Sequence, residues 1–390
     1  MTDEVMEGCP AEVAAGLMTA DTDRVTAVQL AERALSDEDC AQRSSCVRSA
    51  VATLLGASQF GTVDAHLLRL ADQNLHSDKG LLSLLRAQLN RLVGELPLAR
   101  RQLAVLSSAR VAAKVKLIAR LWLVETLMAE GRLTKAQVLA KKIGIDQLIA
   151  DRPPQQALLL ATRGALQLAE GRYRLAIADF LACGPVVAAE DLASPVVARR
   201  RAFAALAAEA DGNQKLAMAL AAEERAAALR WGEPARIGWA LFVQAVCGDR
   251  RDRLELLAEA ASLLDAVGAR TELATVRYEL GRHLAHEGDP TRARENLARV
   301  ADLARGLNNH SMLDQAQAAF GAMGSSFDAA PLTKQELKIA KLVRAGHSNK
   351  QIAERTSLNV RTVEFHLSNV YRKLRISGRR DLLSGNVILQ

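Results

Sequence analysis

Apolar helical runs, each broken by a glycine, recur along much of this chain. The breaks fall at Gly94, Gly131, Gly171, Gly212, Gly248 and Gly288, spaced by 37, 40, 41, 36 and 40 residues. Five of the six are followed five positions on by alanine (Ala99, Ala136, Ala176, Ala217 and Ala293), whereas Gly248 is followed by Arg253. Glycine permits the left-handed backbone of a tight helix-to-helix turn, and a small residue early in the next helix lets the two helices approach closely. The pattern therefore predicts helical hairpins of about forty residues, and a hairpin this small must stack on its neighbours to bury its apolar face. Gly61 marks a weaker, earlier unit without an alanine in register, and His310 to Met323 reads as a capping helix. The expected organisation is an N-terminal helical segment over 1–49, an α-solenoid over 50–323, a Gly/Ser-bearing linker over 324–331 and a separate domain over 332–390.

The pattern changes after the linker. Pro331-Leu-Thr-Lys-Gln-Glu336 reads as a helix start, with Thr333 capping and Glu336 closing a capping box. The helix from Lys334 to about Ala345 turns Leu337, Ala340, Leu342 and Val343 toward a core and stops at Gly346. Ser348 caps a short second helix, Asn349 to Thr356, and after Ser357-Leu358-Asn359 a third runs from Val360 to about Arg375. Within it Val363, Leu367, Val370 and Leu374 form a buried stripe. The opposite face carries Arg361, Glu364, Phe365, Ser368 and Arg372, a set suited to the major groove. A carboxylate there accepts from cytosine N4, and an aromatic ring contacts a thymine methyl.

Composition supports an all-α chain, since aromatics are 3%, prolines number nine in 390 and no strand pattern stands out. The net charge of +7 is uneven: residues 328–390 hold 12 basic and 5 acidic side chains, and the remainder holds 39 of each. A polyanion-binding surface is thus expected at the C-terminus. The run Arg199-Arg200-Arg201 reads as a solvated helix face balanced by acids elsewhere in the domain, and no aromatic cluster or convergent charged set points to a pocket in the repeats. The five cysteines (Cys9, Cys40, Cys46, Cys183, Cys247) show no CxxC spacing, so they read as reduced core thiols rather than a disulfide framework or zinc site. Cys40 and Cys46 offer at most a redox pair. The acidic N-terminus lacks the pattern of a secretory signal and no long apolar run occurs, which predicts a cytoplasmic, nucleoid-associated protein without membrane insertion.

The repeats resemble the tetratricopeptide family over roughly 50–323, although the units are longer than is usual there and the family's Trp, Tyr and Pro positions are mostly absent. The run Leu332-Thr333, Glu336, Gly346, Ser348-Asn349-Lys350, Ile352-Ala353, Thr362-Val363, His366-Leu367, Asn369-Val370-Tyr371, Lys373-Leu374 and Arg379 resembles the LuxR-type helix-turn-helix domain. That resemblance implies a four-helix domain whose third helix enters the major groove, with Glu364, Phe365 and Ser368 near base edges. It implies phosphate contacts around Asn349, Lys350, Arg361, Thr362 and Lys373, to which Arg372 adds a further cation. It also implies that a last helix, with Arg379, Leu382 and Leu383, mediates dimerisation on DNA. Departures from the common pattern are Gln335, Asn359, Arg375 and Gly378, and Glu364 stands where a lysine is frequent. Large ATP-binding regulators of the LuxR type also place such repeats before this reader, but no GxxxxGK[ST] phosphate loop occurs in this chain.

Together these features predict a sequence-specific transcriptional regulator, an activator, that binds double-stranded promoter DNA as a homodimer and contacts the transcription machinery. Its repeats would receive a peptide, protein or small-molecule effector. The competing expectation is a helical-repeat interaction scaffold that binds DNA without sequence preference. No GxSxG, HExxH or dinucleotide fingerprint suggests an enzyme, and no cofactor is expected.

Overall fold

In the computed structural model the chain divides into two compact units, Met1–Asp314 and Gln315–Gln390. The structure describes residues 9–73, 78–187, 195–323, 332–356, 358, 360–374 and 378–383. The linker expected over 324–331, Asn359 and Arg375 lie outside the described residues. Every regular element among those residues is a helix, and none of these helices is long and apolar enough to cross a membrane.

The first unit opens with the helices Pro10–Thr19, Arg24–Ser36, Glu38–Gln42 and Ser44–Gly56, so position 50 falls inside a continuous helix. After the helix Phe60–Asp72 come six hairpins. They pair Lys79–Leu92 with Leu96–Ser108, Ala113–Ala129 with Leu133–Ile143, Gln156–Ala169 with Tyr173–Cys183, Arg200–Ala210 with Gln214–Trp231, Pro234–Cys247 with Arg253–Ala266, and Arg270–His286 with Pro290–Gly306.

Five of the six repeat glycines sit at the turns inside these hairpins, with φ from 72° to 85°. The residue after each donates its N–H to a carbonyl five positions back: Glu95 to Asn90, Arg132 to Leu127, Arg172 to Gln167, Asn213 to Ala208 and Asp289 to Leu284, at 2.8–2.9 Å. This closes the last helical turn and satisfies carbonyls that the helix end leaves over. The five alanines that follow are 0% exposed, as close helix packing requires.

Gly248 departs in structure as it does in sequence: its φ is −99° and ψ −163°, extended rather than left-handed. Gly61 is not a turn, because it lies within Phe60–Asp72, and the left-handed residue of that junction is Ser58. Asn308 makes a similar turn with its backbone at positive φ. Glycine spacing alone misses both, since a short polar side chain replaces glycine there.

The array curls until distant repeats meet. Trp231 Nε1 donates to the Gly56 carbonyl (2.9 Å), Ser58 Oγ to Glu233 (2.9 Å) and Asn309 Nδ2 to the Ala129 carbonyl (2.8 Å). Asp21 pairs with Arg236, whose guanidinium also bonds the buried Glu224 at 3.3 Å. The arginine run is likewise not a solvated face. Arg199 pairs with Glu272, Arg201 bonds Glu224 at 3.1 Å, and burial lowers the pKa of Arg200. The acids that hold these cations lie 23 to 73 residues away in sequence, which is why local composition did not reveal them.

The second unit is a small helical domain of Lys334–Arg344, Asn349–Thr356, Val360–Lys373 and Arg379–Leu383. Its core gathers Ile339, Ala340, Val343, Ile352, Val363, Leu367, Val370 and Leu382. The helix His310–Ala322, expected as a cap on the array, spans the division between the two units.

Candidate nucleic-acid interface

The first helix of the C-terminal unit begins with the capping box that its sequence predicts. Glu336 N donates to Thr333 Oγ1 (3.2 Å), and Thr333 N donates to a Glu336 carboxylate oxygen (2.8 Å). The second helix begins with the same reciprocal pair in Ser348 and Gln351: Ser348 N donates to Gln351 Oε1 at 2.9 Å and Gln351 N to Ser348 Oγ at 3.4 Å. Two donors at each helix start are thus satisfied, which fixes where each helix begins and hence the turn between them.

The third helix presents its two faces as the periodicity requires. Val363 and Val370 are 0% exposed and Leu367 3%, while Glu364 and Ser368 one turn apart are exposed. Ser368 Oγ donates to the Glu364 carbonyl at 3.0 Å. Its hydroxyl proton is committed to the helix, so the oxygen turns acceptor lone pairs outward. Glu364 and Ser368 therefore offer acceptors side by side on one face. The side chains of Arg361, Phe365, Arg372 and Lys373, expected on or beside that face, lie outside the described residues. Thr362, His366 and Asn369 are half-buried, and Tyr371 packs against the core, where burial raises its phenol pKa.

Lys350 is exposed at the start of the second helix, and its neighbour Asn349 is half-buried. Asn349 Oδ1 accepts from Arg379 Nη1 at 2.9 Å, and Arg379 Nη2 donates to the His347 carbonyl. Arg379 therefore ties the last helix to the segment between the first two. Of the three side chains expected at a dimer contact, Arg379 is held within its own domain and Leu382 is 0% exposed in its core. Leu383 is 47% exposed.

Residues 330–384 match the family described as "GerE: Bacterial regulatory proteins, luxR family". The C-terminal unit is a LuxR-family helix-turn-helix domain. A 52-residue stretch is 38% identical to the oxygen regulatory protein NreC of Staphylococcus carnosus, covering 13% of this chain and 24% of that relative. Among solved structures, the chain aligns over 98% of its length with 51% of a signal-transduction ATPase with numerous domains from Pyrococcus horikoshii, a protein with a tetratricopeptide repeat sensor. That match has 15% identity and a TM-score of 0.33. The LuxR-family match covers the domain that holds Glu364, Ser368 and Lys350.

The helical body holds a cavity that its sequence did not reveal. All six hairpins contribute to one cavity of about 350 Å³, whose wall includes Arg91, Met128, Leu168, Phe203, Trp239 and Thr275. Two ion pairs stand in that wall. Arg91 Nη2 meets Glu125 at 2.6 Å, with both side chains under 10% exposed, and Arg199 meets Glu272. Each guanidinium also faces an indole, Arg91 at 5.8 Å from Trp122 and Arg199 at 5.3 Å from Trp239. Phe180, Phe203, Trp239 and Phe242 follow one another with ring centroids 4.8–6.1 Å apart. This is the aromatic and charged convergence that no stretch of sequence displays, because its members are spread from residue 91 to residue 275.

Proposed function

We propose that this chain is a sequence-specific DNA-binding transcriptional activator whose helical body receives the activating signal. The observation that carries the DNA-binding half is the exposed pair Glu364 and Ser368, opposite a fully buried stripe on the third helix of a LuxR-family domain. Both offer acceptors, which pair with the exocyclic amines of cytosine or adenine in the major groove. Lys350 supplies phosphate contact beside them, and Arg379 acts as a positioning residue by anchoring Asn349. Two copies meet on DNA through the last helix, with Leu383 as its exposed apolar side chain.

The test is selection of DNA fragments by the full-length protein, followed by titration of the best fragment at several salt concentrations. Lys350→Ala is expected to weaken binding to all sequences alike and to reduce the salt slope by about one. Glu364→Ala is expected to lose about 1–3 kcal/mol of discrimination at a single base pair. Sequence-blind binding, unchanged in kind by Glu364→Ala, would favour the scaffold reading instead.

The signal-receiving half rests on the cavity shared by all six hairpins. A mostly apolar wall with two internally paired arginines suits an amphipathic small molecule rather than a bare anion. Titration with an environment-sensitive apolar dye tests this. Ala169→Phe, which fills the cavity from its wall, should abolish the dye's binding without unfolding the protein, and dye binding that survives would remove the cavity from the mechanism.

A further inference from the structure

Cys9 immediately precedes the helix Pro10–Thr19, Cys40 lies in the short helix Glu38–Gln42, and Cys46 is in the first turn of Ser44–Gly56. Folding brings all three together. Cys9 Sγ is 3.2 Å from Cys46 Sγ and 3.8 Å from Cys40 Sγ, and the three sulfurs lie within 4.8 Å of one another. The spacings that separate them, 31 and 37 residues from Cys9, resemble no metal-binding pattern in sequence. Asp37 fixes the middle member by accepting from Cys40 N at 2.8 Å.

We propose that Cys9, Cys40 and Cys46 form a three-thiolate site for a thiophilic divalent metal ion of the zinc type. Sulfurs bound tetrahedrally at about 2.3 Å from such an ion lie about 3.8 Å apart, so this triad reaches that geometry with shifts of under about 1 Å. A donor set made only of sulfur selects soft or borderline ions over calcium or magnesium. Charge agrees with a divalent ion. Three thiolates around it leave one negative charge, and Arg43 Nη2 stands 3.5 Å from Cys40 Sγ to balance it. Three ligands leave a fourth position for water or an added ligand, as in open zinc sites.

Access is through Cys9, which is half-buried, whereas Cys40 and Cys46 are 4% and 3% exposed. Burial raises the Cys9 thiol pKa, but hydrogen bonds from Cys46 and from the N–H groups of Ala11 and Glu12 outweigh it and hold the thiol below its ordinary value. Burial pushes Cys40 up to about 12 and raises Cys46. An ion bound there fastens the start of the first helix to the third and fourth.

The same geometry would also permit a Cys9–Cys46 disulfide, formed when peroxide takes two electrons and two protons from the thiols and is reduced to water. That reaction uses only two sulfurs and has no need of Cys40 or Arg43, so the metal accounts for more of the site.

Cobalt(II) titration of the reduced, full-length protein decides the matter. The expected result is one equivalent bound with a thiolate-to-cobalt charge-transfer absorption, its displacement by one equivalent of zinc, and a higher melting temperature in zinc. Cys9→Ser and Cys46→Ser should each lose the absorption, and Cys247→Ala should keep it. Because Cys40→Ser risks the local fold, Cys9→Ala with an unchanged far-ultraviolet circular dichroism spectrum serves as the second variant. The proposal is overturned if no charge-transfer absorption develops, if it survives Cys9→Ser, or if the reduced protein ignores metal while peroxide converts Cys9 and Cys46 to a disulfide.

Discussion

The turn at Gly131 holds φ at 72°, and a Cβ placed there would come within 2.6 Å of Asn309 Oδ1 and of Ser311 Cβ. Gly212, with φ of 80°, has nothing within 4 Å of the same point. An L-residue in the left-handed region costs about 1–2 kcal/mol. Gly212→Ala should therefore lose about that much stability, and Gly131→Ala about 1–3 kcal/mol more because it also overpacks a filled space. Urea denaturation of the two variants measures the difference, and equal losses would show that the crowding relaxes freely. The need for glycine was legible in both cases because the turn is local in sequence. That Gly131 also abuts Asn309 was not, since the contact spans nearly 180 residues. The arginine run fails in the same way, for Arg199 and Arg201 look solvated until their distant acids are placed beside them.

Among elements, the helices of the LuxR-family domain are the most faithfully written in sequence, because their caps and apolar stripes are local signals. The boundaries Lys334–Arg344 and Asn349–Thr356 follow from Thr333, Gly346 and Ser348. The buried stripe of the third helix follows from the spacing of Val363, Leu367 and Val370. Ile339, 0% exposed, is a core residue that this reading omitted, although it shares the face of Val343 four positions on. The last helix is less legible. Five residues give too little periodicity to separate Leu382, in the core, from Leu383, 47% exposed. Thr333→Ala removes one acceptor from the first cap and exposes the Glu336 partnership to fraying. A loss of about 1 kcal/mol is expected in this domain alone. Amide hydrogen exchange should report it as faster exchange in Lys334–Arg344 with no change in the hairpins. A change spread through the body would show that the two units do not unfold separately.

At the scale of the helical body, a linear repeat array and this one differ in what happens at their ends. In an open solenoid each repeat touches only its neighbours, so the terminal repeats fray first and stability falls toward both ends. Here the ends are stitched to distant partners: Trp231, 2% exposed, reaches back to the Gly56 carbonyl, Glu233 accepts from Ser58, and Asn309 donates to the Ala129 carbonyl. Sequence periodicity reports the repeats but not this closure, since stacking order is set by nearest neighbours and curvature by small rotations summed over six of them. Closure also creates the cavity, for a straight array would not bring Arg91 and Thr275 to one wall. The body should therefore unfold as one cooperative unit, with amides of Ser44–Gly56 and Pro290–Gly306 protected as strongly as those of Gln156–Ala169. Trp231→Ala, which removes a buried ring and the bond to Gly56, should cost about 3–5 kcal/mol. Its signature in hydrogen exchange is loss of protection in Ser44–Gly56 as well as in Gln214–Trp231, although the two are some 175 residues apart in sequence. Protection lost only around residue 231 would mean that the early helices hold without the seam, and the cavity would then have to be explained by local stacking.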